Sequence, residues 1–404
     1  MPHSRRARVL PDRRFHGTAP PWGGCAAWTE GSQTQAEAPH SRLAGKRRQS
    51  GCEAPGCDFR QSTMTPEPHM GFEYAVVMPT YNRAGMIAAS LESVLGQSLP
   101  PAGVVVVDDG STDGTEAVVA SFRGRVQYHR VENGGPSRAR NIGVRLTSTP
   151  WIAFCDSDDL WDPRKMEIQS RIHQLRPEVR HSFTDVYFVR GDTWTSHRWG
   201  MEFPEEFYAP GREIVEDIYW VYGEPLYARF VSGHPVVPSA TVIARDRFDK
   251  LGGFNEAFSR LSLEDFEFVL RCAEEPFSAA VMQPLVGFRR HASNYSGNEL
   301  AGILSEIAIL EHAMRHHREG VRLAREIEKI VLARRASAAM LAFRLRDFAT
   351  VREVMRPCPP EAVDWKLRLK SAIAAWPGVL AKPAAAMLLG VSDFLNPPRR
   401  RAAA

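Results

Sequence analysis

The sequence predicts an α/β fold in which helices flank a mostly parallel, Rossmann-like sheet, followed by a helical C-terminal region. Two observations predict this class. Between residues 74 and 165, four short apolar runs alternate with segments of helical periodicity, which is typical of parallel sheets with helices on both faces. From about residue 301 onward, the apolar residues recur mainly with helical spacing.

The first strand–helix unit begins at Tyr74. The run 74–79, with the sequence YAVVMP, is too continuously apolar for a surface strand, so we expect it to be buried. A helix is predicted to follow and to end at Gly96. Its apolar face has helical spacing, at Ile87, Leu91, Val94 and Leu95.

Three further units repeat this order. A strand at 104–107 precedes the loop DDGSTDG and a helix in which Asp113 and Glu116 fit the N-cap and N3 positions. The third strand, within VQYHRV, precedes a Gly-Gly-Pro loop and a third helix. The fourth strand is WIAFC, and Asp162 followed by Pro163 fits the start of the helix after it.

The rest of the chain divides by composition. Residues 1–70 are rich in Arg, Pro, Gly and Ser without apolar periodicity, which predicts a disordered extension or a mis-assigned start upstream of the true one. We expect an α/β domain at 71–300, composed of the halves 71–165 and 166–300. A helical region with a basic tail is expected at 301–404.

Charge is unevenly distributed along the 404 residues. Residues 71–300 carry 23 Lys and Arg against 31 Asp and Glu, which argues against a nucleic-acid binder with a basic folded body. Residues 301–404 carry 18 against 10, which suits either a solvated face or an anionic membrane surface. The stretch AAWPGVLAKPAAAMLLG is interrupted by Pro and Lys, so we expect an interfacial helix or ordinary helical core there rather than a membrane span.

Six cysteines are scattered without the spacing of a disulfide framework or a zinc site. Reduced thiols are typical of cytosolic proteins, so we expect a cytoplasmic location. The basic tail leaves open a peripheral position at the inner face of the membrane.

Unusual polar loops follow all four predicted strands: PTYNR, DDGSTDG, NGGPSRARN and DSDD. In open parallel sheets, ligands bind beyond the carboxyl ends of the strands, so these loops predict one shared site. They lack the glycine patterns of dinucleotide and P-loop sites. Carboxylates stand there instead: Asp108 and Asp109 after the second strand, and Asp156, Asp158 and Asp159 after the fourth.

Clustered carboxylates are hard oxygen ligands that suit Mg²⁺ or Mn²⁺, and Mg²⁺ usually binds one or two of them together with substrate phosphates. The sequence therefore predicts a metal site that takes a phosphorylated ligand. Asp109 lies on another strand and is better interpreted as a hydrogen-bond acceptor for a base or ribose. Turn chemistry is the alternative for Asp108 and Asp109. Capping is a weaker alternative for DSDD, because Asp162 already fits that role.

The segments VVMPTYNR, VVVVDDGSTDGT, NGGPSRARNIG and FCDSDDLWDP, in this order and spacing, resemble the family 2 inverting glycosyltransferases of GT-A fold. The resemblance covers roughly residues 72–295. It implies a nucleoside diphosphate-sugar donor, expected to be a UDP-sugar, and a divalent metal at the D-x-D element Asp156-Ser157-Asp158. It also implies that 71–165 is the nucleotide-binding half and 166–300 the acceptor half.

Position by position, the resemblance assigns roles to individual residues. Asp158 would be the metal ligand proper, and Asp156 a second ligand that also faces the ribose or sugar of the donor. His291 would lie near the diphosphate or the metal. The substrate-binding residues would be Pro79, Tyr81, Asp109, Arg140, Asp156, Glu264 and His291.

Inverting transfer also needs a general base that takes the proton of the acceptor hydroxyl. The segment LSLEDFEF carries Glu264-Asp265 at the start of a predicted helix, and the resemblance assigns the base to Asp265. Without the resemblance, Ser262 and Asp265 would be interpreted as a helix cap. Capping could also orient the carboxylate, so the two roles are compatible.

The expected function is therefore transfer of a sugar to a hydroxyl of a glycan or lipid-linked glycan, with no nucleic acid as partner. Two alternatives stay open. A sugar nucleotidyltransferase also uses a parallel sheet and Mg²⁺, but it needs a glycine-rich basic loop where PTYNRAG offers only Arg83. A non-catalytic protein that binds nucleotide-sugar or scaffolds a glycan assembly complex is the other, and Asp158 and Asp265 argue against it.

Overall fold

The computed structural model describes residues 71–190, 193–198, 200, 203, 205–291 and 298–395. All of them belong to one compact unit, Arg47–Ala404. The predicted N-terminal extension, 1–70, and the last residues of the basic tail, 396–404, lie outside the described residues.

Eleven strands lie between residues 74 and 289 of the described chain. In chain order they are β1 (Tyr74–Thr80), β2 (Gly103–Asp108), β3 (Gln127–Arg130), β4 (Trp151–Phe154), β5 (Leu160–Trp161), β6 (His181–Arg190), β7 (Thr193–Arg198), β8 (Arg212–Val215), β9 (Tyr219–Tyr222), β10 (Thr241–Ala244) and β11 (Ser278–Arg289).

Helices lie between the strands and then form the whole C-terminal region. They are α1 (Ile87–Leu95), α2 (Thr115–Ala120), α3 (Pro136–Arg145), α4 (Lys165–Leu175), α5 (Glu205–Tyr208), α6 (Tyr227–Phe230), α7 (Arg245–Leu251), α8 (Glu264–Ala273), α9 (Glu299–His316), α10 (Arg318–Arg322), α11 (Ala324–Arg344), α12 (Phe348–Met355), α13 (Trp365–Ala374) and α14 (Gly378–Leu395).

The strands form one mixed sheet with the order β3-β2-β1-β4-β10-β6-β11-β9-β8. The four strands predicted at residues 74–154 pair in parallel, as β3-β2-β1-β4. Antiparallel pairing begins at β10, which joins β4 to β6, and β6 then pairs in parallel with β11. The predicted fold class, an α/β sheet followed by a helical region, is confirmed.

Side chains of β1 alternate between two layers of helices because successive residues of a strand point to opposite faces. Val76 and Met78 pack in the cluster that contains Leu91 of α1. Val77 packs on the other face, in the cluster that contains Val144 of α3. Both faces are thus covered, which explains why the run lacks polar residues.

The C-terminal helices share a hydrophobic core with the second half of the sheet domain. Phe266 and Leu270 of α8 belong to one cluster with Leu310 of α9 and Phe343 of α11. The predicted boundary at residue 300 lies at the start of α9 in the sequence. The side chains of α8 and of the helices from α9 onward nevertheless pack in one hydrophobic core.

Two predicted helix starts lie a little later in the chain than expected. The N-cap residue of α2 is Gly114, so Asp113 lies one residue before the N-cap position. From there, Asp113 Oδ1 accepts the Thr115 N–H at 2.9 Å. α4 begins after Arg164, whose N–H donates to Asp162 Oδ1 at 2.9 Å. Both aspartates therefore close turns before the helices instead of occupying the N-cap position.

The close approach of α3 to the sheet depends on Gly143. A Cβ atom at this position would lie 2.3 Å from Val77 Cγ1, which is buried between helix and strand. We expect Gly143→Ala to lower the free energy of unfolding by about 1–3 kcal/mol through overpacking. Urea denaturation measures this change.

Gly302→Ala is the matched control, because Gly302 also lies in a helix but a Cβ atom added there would have nothing within 4 Å. Removing a helical glycine at this position should raise stability by up to about 1 kcal/mol. Equal effects at the two positions would contradict the packing argument.

Candidate active site

The loops after β2 and β3 are joined through the two aspartates that end β2. Asp109 accepts the Gly134 N–H on Oδ1 and the Gly135 N–H on Oδ2, both at 2.8 Å. Asp108 accepts the Ser111 N–H at 2.7 Å and the Tyr128 hydroxyl at 2.7 Å. Both carboxylates are buried. In this structure, Asp109 orders the loop that leads into α3, in line with the turn chemistry left open for it.

Gly135 needs the conformational freedom of glycine at this junction. Its φ is 87°, and an added Cβ would lie 2.3 Å from the Ser259 carbonyl oxygen. Any larger residue would therefore meet both backbone strain and a clash. The glycine lets the start of α3 approach the segment that precedes α8.

The loop after β1 is held against the loop after β2. Asn82, which has a φ of 52°, accepts the Thr112 N–H on Oδ1 at 2.7 Å and donates its own N–H to Ser111 Oγ at 2.9 Å. Of the predicted pocket residues nearby, Pro79 lies buried within β1, whereas Tyr81 is 46 % exposed beyond the strand end. Only Tyr81 of this pair presents its side chain to solvent.

Arg140 of α3 joins two acidic residues from different parts of the chain. Its Nη1 donates to Glu264 Oε1 and its Nη2 to Asp156 Oδ1, each at 2.7 Å. The Arg140 side chain is only 3 % exposed. Burial alone would lower the pKa of Arg140, but the two carboxylates outweigh it and raise the pKa, so the guanidinium stays charged.

Asp158 has two basic neighbours of its own. Its Oδ2 accepts hydrogen bonds from Arg83 Nε and from His291 Nε2, both at 3.1 Å. Burial opposes ionisation of Asp158, but the bond from His291 and the charge of Arg83 outweigh it and hold the pKa below its usual value. The structure thus brings together Asp158 and His291, two residues predicted for the same site.

Asp159 differs from its two neighbours. It is 1 % exposed, accepts the Ser239 hydroxyl on Oδ2 at 2.5 Å and accepts the Arg289 N–H on Oδ1 at 3.4 Å. Burial, with the charges of Asp158 and Asp156 added to it, raises the pKa of Asp159 well above its usual value. This carboxyl group therefore serves as an internal hydrogen-bonding group at the base of the loop.

Glu264 and Asp265 begin α8 and are both buried. Burial raises the pKa of Asp265 to about 6 and that of Glu264 to about 7, although the charge of Arg140 opposes both shifts. The charge of this one guanidinium is shared among Asp156, Glu264 and Asp265, so it does not offset the burial of Glu264 and Asp265. At least one of these acids is therefore easily protonated near neutral pH.

The start of α8 lacks the predicted serine cap. Its N-cap residue is Leu263, and no side chain caps it. Asp265 Oδ2 lies 3.6 Å from Nε2 of His234, whose pKa burial lowers to about 4. His234 is thus neutral at neutral pH, and the Asp265 carboxylate faces it without a full ion pair.

Sequence reasoning missed three residues that organise the DSDD loop. In the sequence Arg83 is only the single basic residue of its loop, yet its side chain bonds Asp158. Arg289 donates to the Asp158 carbonyl at 2.5 Å and to Ser90 Oγ at 2.9 Å. Ser239 accepts the Asp156 N–H at 2.9 Å. The basic character of PTYNR and GFRRH was a usable signal, whereas nothing in VVPSAT marked Ser239.

The donor chemistry at the strand ends suits a hard divalent cation. Asp156 and Asp158 carry carboxylate oxygens, and their side chains stay partly exposed at 25 % and 16 %. Oxygen ligands with access for a phosphate are what Mg²⁺ and Mn²⁺ prefer. The residues present therefore fit the predicted metal.

A second group of metal-ligating side chains lies elsewhere, formed by Glu267, His312 and His317. Arg271 donates to Glu267 through Nε at 2.8 Å and Nη2 at 2.6 Å. His317 Nδ1 shares a hydrogen bond with the Tyr227 hydroxyl. His317 Nε2 lies 3.4 Å from Glu267 Oε1. These contacts form a polar network that joins α8 to α6 and to His317, the residue that follows α9.

Comparison with solved structures supports the same fold. The chain aligns with S. aureus TarS 1-349, crystallised in complex with UDP-GlcNAc, at a TM-score of 0.53 and 17 % sequence identity. The alignment covers 78 % of this chain and 92 % of that chain. At this identity the likeness concerns the fold alone, and it agrees with the GT-A-like architecture.

Residues 75–220 match the family model described as glycosyl transferase family 2. Relatives agree with it. An uncharacterized glycosyltransferase of Haemophilus influenzae is 28 % identical over 203 residues, which is 50 % of this chain and 62 % of that protein. An Escherichia coli UDP-Glc:alpha-D-GlcNAc-diphosphoundecaprenol beta-1,3-glucosyltransferase is 38 % identical over 97 residues, 24 % of this chain and 38 % of that protein. Residues 75–220 thus match a family 2 glycosyltransferase domain.

The matched part spans less than two thirds of the length of each of these two relatives. Among the described residues, none of the helices combines the length and the apolar character that crossing a membrane would need.

The Arg140 ion pairs should matter strongly for stability. Arg140→Met removes the guanidinium and leaves the partly exposed Asp156 and the buried Glu264 without their cation. We expect the free energy of unfolding to fall by about 3–5 kcal/mol, measured by urea denaturation.

Adding Glu264→Gln to Arg140→Met should restore part of this loss, because one uncompensated charge is removed with it. Arg123→Met, at an exposed arginine, is the control and should change stability by less than about 0.5 kcal/mol. An Arg140→Met effect as small as that of the control would show that the carboxylates do not depend on Arg140.

Proposed function

We propose that this protein is an inverting, metal-dependent glycosyltransferase that moves a sugar from a nucleoside diphosphate-sugar to a hydroxyl group. One observation carries the proposal. Through its ion pairs with Asp156 and Glu264, Arg140 joins the loop after β4, which carries the partly exposed Asp156 and Asp158, to the start of α8, which carries the buried Glu264 and Asp265. The first pair suits a metal–diphosphate, and the second supplies a base.

We propose a UDP-sugar as the donor. The family match over 75–220 covers the strand-end loops that carry Asp109, Arg140 and Asp156. The structurally similar S. aureus protein was crystallised with UDP-GlcNAc, and the E. coli relative is named for UDP-Glc. Tyr81, exposed beyond β1, is available to contact the base or ribose.

The acceptor in this proposal is a hydroxyl of a glycan or a lipid-linked glycan. The E. coli relative is named for a diphosphoundecaprenol-linked sugar, which supports the lipid-linked choice. In this scheme, residues 71–165 bind the nucleotide and 166–300 bind the acceptor. We place the protein in the cytoplasm, and the free state of the three described cysteines, Cys155, Cys272 and Cys358, agrees with this.

Asp158 and Asp156 are the residues that would hold Mg²⁺ or Mn²⁺. A divalent cation bound there supplies positive charge that stabilises the diphosphate leaving group. Arg83 and His291 both hydrogen-bond Asp158. In this proposal they would therefore lie next to the diphosphate leaving group and donate hydrogen bonds to its oxygens. Arg140 orients Asp156 by donating a hydrogen bond to its Oδ1 atom.

Asp265 is the proposed general base. The acceptor oxygen forms a bond to the anomeric carbon while the bond from that carbon to the diphosphate oxygen breaks, and the hydroxyl proton moves to the Asp265 carboxylate. A pKa raised by burial makes Asp265 a stronger base than an exposed aspartate. The diphosphate leaves with the bonding electron pair, so charge balances.

The metal–diphosphate site is tested by thermal shift. With UDP and Mn²⁺ at about 100 times Kd, the wild-type protein should gain about 2.7 kcal/mol of apparent stability. The shift should require both ligands together and should be lost in Asp158→Asn, which removes the carboxylate charge. Differential scanning fluorimetry measures it.

Asp217→Asn is the matched control, since Asp217 is exposed and its φ of 60° is one that asparagine adopts readily. It should keep the full shift. A wild-type protein that shows no shift with any nucleoside diphosphate or diphosphate-sugar would remove the proposed donor site.

The base is tested by turnover and its pH dependence. Asp265→Asn should reduce kcat by roughly 10²–10⁴-fold while the thermal shift with UDP and Mn²⁺ persists, because proton transfer is lost and donor binding is not. In the wild type, kcat/KM should fall about tenfold per pH unit below about pH 6, as Asp265 becomes protonated.

The exposed Asp249→Asn variant is the control for this experiment and should keep the wild-type profile. If Asp265→Asn retains wild-type turnover, the base lies elsewhere. A kcat/KM that stays flat down to pH 4 would contradict the assignment as well.

A further inference from the structure

The last helix, α14, is apolar on two opposite sides. Ala381 and Ala385 are fully buried, and Leu388 packs against the helical core. At 100° per residue, the residues opposite to these fall within an arc of roughly 120°. They are Val379, Leu380, Pro383, Ala386, Met387 and Gly390, all exposed.

The exposure of these side chains is large. Val379 is 82 % and Met387 75 % exposed. On α13, Trp365 and Leu369 are one turn apart, and Trp376 lies three residues before Val379 in the chain. We define the C-terminal apolar face by its large exposed side chains: Trp365, Leu369, Trp376, Val379, Leu380 and Met387.

A helix that is apolar all round is stable when apolar surroundings cover all of it. Within the described residues, the core covers only one side of α14. Many exposed large apolar side chains on neighbouring helices indicate an interaction site, because soluble proteins otherwise keep exposed apolar surface small. The C-terminal apolar face therefore requires a partner.

The charges around this face indicate an anionic partner. Lys366, Arg368 and Lys382 are exposed beside it, and the surface depression that Trp376 lines is also lined by Arg346, Arg352 and one acid, Asp347. The exposed Asp364 is the neighbouring acid on α13, and it caps that helix by accepting the Leu367 N–H. Basic side chains thus predominate at the rim.

A second copy of the chain fits this face poorly. In a two-fold symmetric dimer the same patch meets itself, so the basic rims would lie against each other. Like charges brought together in this way oppose association. Tryptophan and basic residues around an apolar surface are instead the composition of helices that lie in the interface of an anionic bilayer.

We propose that the C-terminal apolar face binds the surface of an anionic lipid bilayer, with α14 lying in the plane of the interface. The apolar side chains enter the boundary between headgroups and acyl chains, while Lys366, Arg368 and Lys382 contact lipid phosphates. This surface is independent of the candidate active site, and it would keep that site at a membrane where a lipid-linked acceptor resides.

Co-sedimentation with vesicles tests the proposal without donor or acceptor, so its outcome is separate from that of the proposed transfer reaction. Wild-type protein should pellet with phosphatidylcholine vesicles that contain phosphatidylglycerol, and much less with pure phosphatidylcholine. The double variant Val379→Ser/Met387→Ser should lower the partition coefficient on the order of tenfold. Lys366→Gln and Lys382→Gln should each lower it about fivefold.

Matched controls exclude a general effect of the substitutions. Ile214→Ser removes an apolar side chain that is 52 % exposed on β8, and Arg123→Gln removes an exposed charge far along the chain. Both should bind vesicles like the wild type. Because the altered α14 residues are exposed, the thermal transition should also stay unchanged.

Two results would overturn the proposal. Wild-type protein that stays in the supernatant with anionic vesicles lacks the binding surface. A concentration-dependent dimer in sedimentation velocity that Val379→Ser/Met387→Ser abolishes, together with unchanged vesicle binding in this variant, would make the face an interface between copies of the chain.

Discussion

Arg140 carries one positive charge into a place where Asp156, Glu264 and Asp265 bring three carboxyl groups. The guanidinium belongs to α3, and its two bonded carboxylates belong to the loop after β4 and to the start of α8. Buried charges need partners with good geometry, so this arrangement constrains all three elements at once. It joins the parallel half of the sheet to the half that follows it.

The three aspartates of DSDD avoid mutual repulsion in three different ways. Asp156 forms an ion pair with Arg140, and Asp158 contacts both Arg83 and His291. Asp159 has a raised pKa and accepts a hydrogen bond from Ser239. Much of the compensating charge therefore comes from the protein itself. The two partly exposed aspartates are the ones with carboxylate surface left for a cation and a diphosphate.

The helical region extends this organisation away from the sheet. α8 starts with Glu264 and Asp265, and its later residues pack against α9 and α11. Glu267, one turn after Glu264, belongs to the network with His317 and Tyr227. The helices α13 and α14, which would contact a membrane, thus pack in the same hydrophobic core as α8, which carries the proposed base.

The sequence by itself determined the order of strands and helices and the position of the polar loops at the strand ends. Apolar periodicity is local, and consecutive residues such as Val76 and Val77 already record that both faces of β1 are covered. The acidic composition of DSDD likewise predicts a cation site without reference to packing.

Only the tertiary structure decided which partner each carboxylate has. Asp109, for example, accepts the Gly134 and Gly135 amides, one on each carboxylate oxygen. Arg140 meets Glu264 across 124 residues of chain. Such pairings depend on how α3 and α8 pack on the sheet, and no local pattern encodes a distance between elements so far apart in sequence.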